Sequence, residues 1–170
     1  MTQQQNKVAP QRQTIEQERG REAWNDVREI KKLSSKERQE YRSRARSLNA
    51  MIQINGLGQT LGFFYAKSKN EKTGLPDPKK AHYQILNHLT MWMKDNKHFS
   101  TANSDKIGSR YDGLLSWVLD EDTSSSDYRR ATTECLAYGR WLARFAEGEL
   151  AEEEATAAII GTTEGEDNGQ

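Results

Sequence analysis

Apolar residues recur along this chain at spacings of three and four, the period of a helix face, and no stretch shows the strict alternation of a half-buried strand. From Thr14 to Leu33 the positions Ile15, Ala23, Trp24, Val27 and Ile30 mark a first amphipathic helix. Ser34 then stands three residues before Glu37, a capping box that satisfies free amides at a helix start. In the second helix that follows, at about 100° per residue, Tyr41, Ala45, Leu48 and Ile52 share one face. Arg38, Arg42 and Arg46 form a stripe roughly 100° around from it.

The densest apolar stretch, Asn49 to Lys69, reads NAMIQINGLGQTLGFFYAKSK. Leu57, Leu61 and Phe64 fall beneath the arginine stripe and Phe63 continues the first apolar face, so the same helix is expected to run on, apolar nearly all round and surrounded by others. Gly56, Gly58 and Gly62 then read as helix-packing positions, with Gly58 and Gly62, four apart, admitting a close neighbour. Each costs about 1 kcal/mol of helix propensity, which packing must offset.

Asn70 to Pro78 holds Gly and two prolines and reads as a connection, with a third helix expected from Asp77 or Pro78. Tyr83, Ile85, Leu86, Leu89, Trp92 and Met93 mark that helix, and a polar loop follows from Asp95 to Ser109. Tyr111, Leu114, Leu115, Val118 and Leu119 make a short fourth helix. A fifth, capped from among Ser124 to Asp127, lines one face with Tyr128, Ala131, Thr132, Cys135, Leu136, Gly139, Leu142 and Ala146. The expected fold class is all-α, a single compact bundle of about five to six helices over residues 14–149. Residues 1–13, rich in Gln, read as a flexible arm, and residues 150–170 as an acidic disordered tail whose first part could prolong the last helix.

Composition alters this picture in two ways. A hydrophobic content of 34% is low for a globular chain, which leaves part of the chain outside the core. The formal net charge of zero hides an asymmetry: of 25 acidic residues, eight lie from Glu147 onward, where no Lys or Arg occurs. The body before them is therefore basic, which suits a polyanionic partner, although excess charge also serves solubility. With one cysteine, Cys135, no internal disulfide or cysteine zinc site is expected. No apolar run approaches the roughly 18 residues of a membrane span, so a soluble, cytoplasmic protein is expected.

Candidate chemistry is sparse. Gly56, Gly58 and Gly62 spell GxGxxxG, with Asp77 21 positions after Gly56. A dinucleotide site needs a strand before such glycines, whereas a helical pattern precedes these. His82, His88 and His98 lack helical ligand spacing, Asp120 to Asp122 end a helix before serines, and Cys135 sits on an apolar face. No catalytic constellation, metal site or cofactor is expected. The stripe Arg38, Arg42, Arg46 could meet successive phosphates, or equally be a solvated face or pair with a protein. Aromatic residues fall mainly on core positions, so any nucleic-acid contact is expected to be to backbone and shape rather than to base sequence.

The run NGLGQTLGFFYAKSK, Asn55 to Lys69, resembles the signature of the small all-helical subunit of the type III-B CRISPR effector, the Cmr or RAMP-module complex. YRRATTECLAYGRWLARFAEGEL, Tyr128 to Leu150, is similar to that family's last long helix, and the resemblance spans roughly Ile15 to Glu149. It implies a non-catalytic structural subunit in antiviral defence, stacked in several copies as an inner filament beside the backbone and large subunits, where guide and target RNA lie. On the matching motifs, Lys67, Lys69, Arg140 and Arg144 join the stripe as candidates for RNA or subunit contact. The acidic tail and Gln-rich arm lie outside the family's motifs. The competing class is a small helical adaptor with protein partners alone.

Overall fold

A computed structural model of the chain describes residues 14–96, 98–99 and 104–151. The proposed arm and all but the first two residues of the proposed tail lie outside these. Among the described residues there are six α-helices: α1 (Ile15–Ile30), α2 (Ser35–Asn55), α3 (Leu57–Lys67), α4 (Ala81–Asp95), α5 (Gly113–Val118) and α6 (Ser125–Glu149). The loop expected after α4 contains one short 3₁₀ turn, Ser104–Lys106. The all-α class holds.

Helix starts follow local chemistry. The capping box at Ser34 forms, with the Ser34 amide donating to Glu37 at 2.9 Å and the Glu37 amide to Ser34 Oγ at 3.3 Å. Thr14 and Gln17 build a second box at α1, and Ser124 caps α6 by accepting from the Asp127 amide. The third predicted helix begins at Ala81 rather than Asp77, because Asp77 turns its carboxylate back to the Lys79 amide and holds Pro78 in a turn.

The expected long helix through Asn55 is broken. Gly56 adopts φ +83°, a region costly for residues with a Cβ, and closes α2 while opening α3. Its amide donates to the Ile52 carbonyl, and its carbonyl accepts from the Thr60 amide and hydroxyl. Gly56 is thus a hinge between helices, not a packing position inside one. Gly62 is corrected too: a Cβ there would meet nothing within 4 Å. At Gly58 a neighbour does come close, with a Cβ standing 3.4 Å from Val118 and 3.6 Å from the Tyr128 hydroxyl, which accepts from the Gly58 amide.

The core gathers the predicted faces. Tyr41, Ala45, Leu48 and Ile52 of α2 pack with Val27 and Ile30 of α1, Leu61 and Phe64 of α3, Leu86 and Leu89 of α4, and Ala131, Cys135 and Leu142 of α6, all buried. Trp24 and Leu119 depart from the expected faces and are exposed; Trp24 stacks on Phe145 with Arg28 above its ring. A close approach joins α2 to α6. A Cβ on Gly139 would stand 2.3 Å from Asn49 Oδ1 and 3.1 Å from Leu48, and Asn49 Nδ2 donates to the Leu136 carbonyl.

Buried polar groups tie α1, α2, α4 and α6 together. Glu134 accepts from Arg19 at 2.9 and 2.7 Å and from Trp92 Nε1 at 2.8 Å. The Tyr138 hydroxyl donates to Asp26 at 2.6 Å, and Tyr41 Oη lies 2.9 Å from Nδ1 of the buried His88. Burial holds His88 below the ordinary histidine range, opposed by the nearby Asp26 charge, while burial raises Asp26.

This packing sets the response to two glycine substitutions. Gly139→Ala gains about 1 kcal/mol of helix propensity but incurs roughly 1–3 kcal/mol of overpacking, so its Tm should fall by about 2–4 °C per net kcal/mol. Gly62→Ala gains propensity into open space, and its Tm should rise by a similar amount. Thermal melts followed by circular dichroism check both. His88 has a folded pKa below its unfolded one, so its contribution is present above about pH 6.5 and is lost as pH falls towards its depressed value. In urea titrations from pH 7.5 to 5, His88→Gln should flatten the fall in midpoint that the parent chain shows.

Candidate nucleic-acid and subunit interface

The predicted arginine stripe faces α6. Arg42 Nη2 meets Glu147 Oε2 at 3.0 Å, and Arg46 Nε meets Glu147 Oε1 at 2.6 Å. These hydrogen bonds, Arg46's first, hold the Glu147 carboxyl below the usual carboxylate range. Two of the three guanidinium groups therefore share one anion, and the stripe is not the open row of three charges that its spacing indicates. Arg38, at the start of the row, has no ion pair among the described residues.

The other candidates lie apart from that pair in the chain. Arg140 and Arg144 are exposed on α6, the helix that supplies Glu147. Lys67 is exposed at the end of α3. Lys69 follows it in a turn that bridges to Pro76, with its ammonium 4.3 Å over the Tyr65 ring.

A second cationic cluster lies on the opposite edge of α2's buried face. His82, in the first turn of α4, is held at about 4 by burial and then by the charges of Arg44, Lys80 and Lys67. These cations come from α2, the start of α4 and α3, and none is in an ion pair among the described residues. Lys80 Nζ donates to the Lys69 carbonyl at 2.7 Å, which ties the cluster to the end of α3. Arg44 escapes a reading by steps of four because it lies off the row 38, 42, 46. The signal in the sequence is the run of alternating arginines at 42, 44 and 46, which must face both edges of the helix.

Other polar features offer less. A cleft of about 350 Å³ between α1 and α4 is lined by Glu18, Glu22, Asp26 and Asp95 beside Arg21 and Trp92. No group of three His, Cys, Asp or Glu among the described residues is placed to hold a metal ion. Cys135 is fully buried, and burial raises its thiol pKa, which makes it unreactive. No described helix is long and apolar enough to cross a membrane.

The family model for the CRISPR-associated protein Cas_Cmr5 matches residues 15–149. The chain belongs to the Cmr5 family. Among solved structures, the X-ray crystal structure of a CRISPR-associated Cmr5 family protein from Thermus thermophilus is similar, with a TM-score of 0.59 and 26% identity. That match covers 82% of this chain and 100% of the other. Cmr5 membership makes the chain a small subunit of the type III-B Cmr complex, a structural component associated with other Cmr subunits. The matched span includes α1 to α6 whole.

Glu147 is the natural place to alter the charge of the α2–α6 edge. Glu147→Gln removes the anion shared by Arg42 and Arg46, and the variant should elute from a heparin column at higher salt than the parent chain. Unchanged elution would mean that the two arginines are already available to polyanions.

Proposed function

We propose that the chain is a non-catalytic structural subunit of the Cmr complex that stacks with copies of itself and contacts the backbone of guide and target RNA without sequence preference. It acts in this reading in the cytoplasm, in antiviral defence. The observation that carries it is the convergence of Arg44, Lys67 and Lys80, from three elements, with no carboxylate paired to them among the described residues. A protein that only needed solubility has no reason to gather like charges around a half-buried imidazole, since each raises the self-energy of the others. A phosphate chain placed there relieves that repulsion and releases counterions. Arg38, Lys69, Arg140 and Arg144 divide between further phosphates and neighbouring subunits. Arg42 and Arg46 instead join α2 to α6 through Glu147.

Alanine at Arg44, Lys67 and Lys80 together should weaken RNA binding about equally for all sequences. It should also reduce the slope of log affinity against log salt by about 2, from roughly 0.7 per contact to single strands. Filter binding at several salt concentrations with two unrelated RNA sequences measures both quantities. Loss confined to one sequence contradicts backbone contact, and unchanged binding favours an adaptor with protein partners alone.

A further inference from the structure

An aromatic ring stands beside the histidine on which these cations bear. Phe63, expected on the buried face, is 37% exposed. Its ring is fixed from beneath: it meets Phe64 edge-on with centroids 5.8 Å apart and His82 edge-on at 5.6 Å, while His82 and Phe64 lie 5.4 Å apart. Phe64 is 1% exposed, so this three-ring cluster is anchored in the core. Lys67 is one helical turn from Phe63 on α3. His82 Nε2 is buried without a hydrogen-bond partner. A part-exposed ring packed on a histidine that feels three cations, none in an ion pair among the described residues, suits a flat, partly anionic ligand: the ring loses little conformational entropy on contact, and the charges hold the anionic part near it.

We propose that Phe63 is a stacking platform for one unpaired base of a single-stranded RNA whose flanking phosphates lie on Arg44, Lys67 and Lys80. This rests on the RNA-contacting reading and deepens it, because it adds a contact that backbone charge alone does not supply. A duplex keeps its bases stacked on one another and cannot use the platform, whereas a single strand offers any base, whatever the sequence. The platform therefore favours unpaired over paired RNA without choosing a sequence. Burial and the neighbouring cations keep His82 neutral at physiological pH, so it serves as a ring beneath Phe63 rather than as a fourth charge.

The test uses the full chain with a single-stranded RNA carrying one 2-aminopurine, and with the same RNA annealed to its complement. Phe63→Leu, which keeps an apolar side chain but no aromatic face, should weaken single-strand binding about 5- to 150-fold, the range set by losing one stacked base. It should also abolish the fluorescence quenching seen on binding, leave duplex binding unchanged and preserve the salt slope. Phe63→Trp should restore both affinity and quenching, and circular dichroism melts of both variants establish that they fold. If Phe63→Leu leaves single-strand binding and quenching intact while the Arg44, Lys67 and Lys80 alanine variant loses RNA, the platform is refuted and backbone contact stands. If neither variant affects RNA, the RNA-contacting reading itself fails. If Phe63→Leu abolishes association with other Cmr subunits but not quenching, Phe63 belongs to a protein interface and the proposal is overturned.

Discussion

The close approach of α6 to α2 at Gly139 governs how the rest of the molecule is arranged. With no Cβ at Gly139, Asn49 reaches the Leu136 carbonyl, and the two helices lie antiparallel in tight contact. Further along the same line Glu147 comes beneath Arg42 and Arg46, and the Leu150 carbonyl accepts from Gln39. The opposite side of α6 runs parallel to α1, with Trp141 packed over Gly20 and Phe145 stacked on Trp24. One helix is thereby fixed between two others, and its buried Glu134 and Tyr138 can meet Arg19, Trp92 and Asp26 at hydrogen-bond distance. Buried charge is tolerated in a protein interior only with such partners, and this network supplies them to Glu134 from two other helices.

That arrangement gives the two edges of α2 different electrostatic characters. On the edge towards α6, the carboxylate of Glu147 compensates Arg42 and Arg46. On the edge towards α3 and α4, the charges of Arg44, Lys80 and Lys67 all bear on His82 and, after burial, hold it below the ordinary histidine range. The overall charge of the chain is zero, yet its local charges are far from evenly mixed. In the proposed reading, a polyanionic partner is drawn to the second edge. The hinge at Gly56 matters for the same reason: by ending α2 there it redirects α3, so that Lys67 comes to the same histidine as Arg44 rather than continuing along one helix axis.

Much of this fold was legible in the sequence because periodicity and caps are local properties. The face Tyr41, Ala45, Leu48, Ile52 is buried as the spacing predicts, and the capping box at Ser34 forms. The resemblance carried by Asn55 to Lys69 and Tyr128 to Leu150 agrees with the family match over residues 15–149. The hinge was not legible, since a glycine in a helical pattern reads the same whether it packs or turns, and only its positive φ distinguishes them. Phe63 continued an apolar face only while α2 and α3 were taken as one helix; with the break at Gly56, that projection no longer applies. The pairing of Arg42 and Arg46 with Glu147 joins residues about a hundred positions apart, which no local spacing can reveal. Arg44 was hidden for a simpler reason, because a search for steps of four selects one edge of a helix and passes over the other.

The decisive measurement is photo-crosslinking of target RNA in the assembled Cmr complex, with the crosslinked peptides of this chain located by mass spectrometry. Crosslinks are expected in α3 and in the first turn of α4, around Phe63, Lys67 and His82. Crosslinks confined to other subunits, or within this chain to α1 alone, would contradict the assignment of this face to RNA.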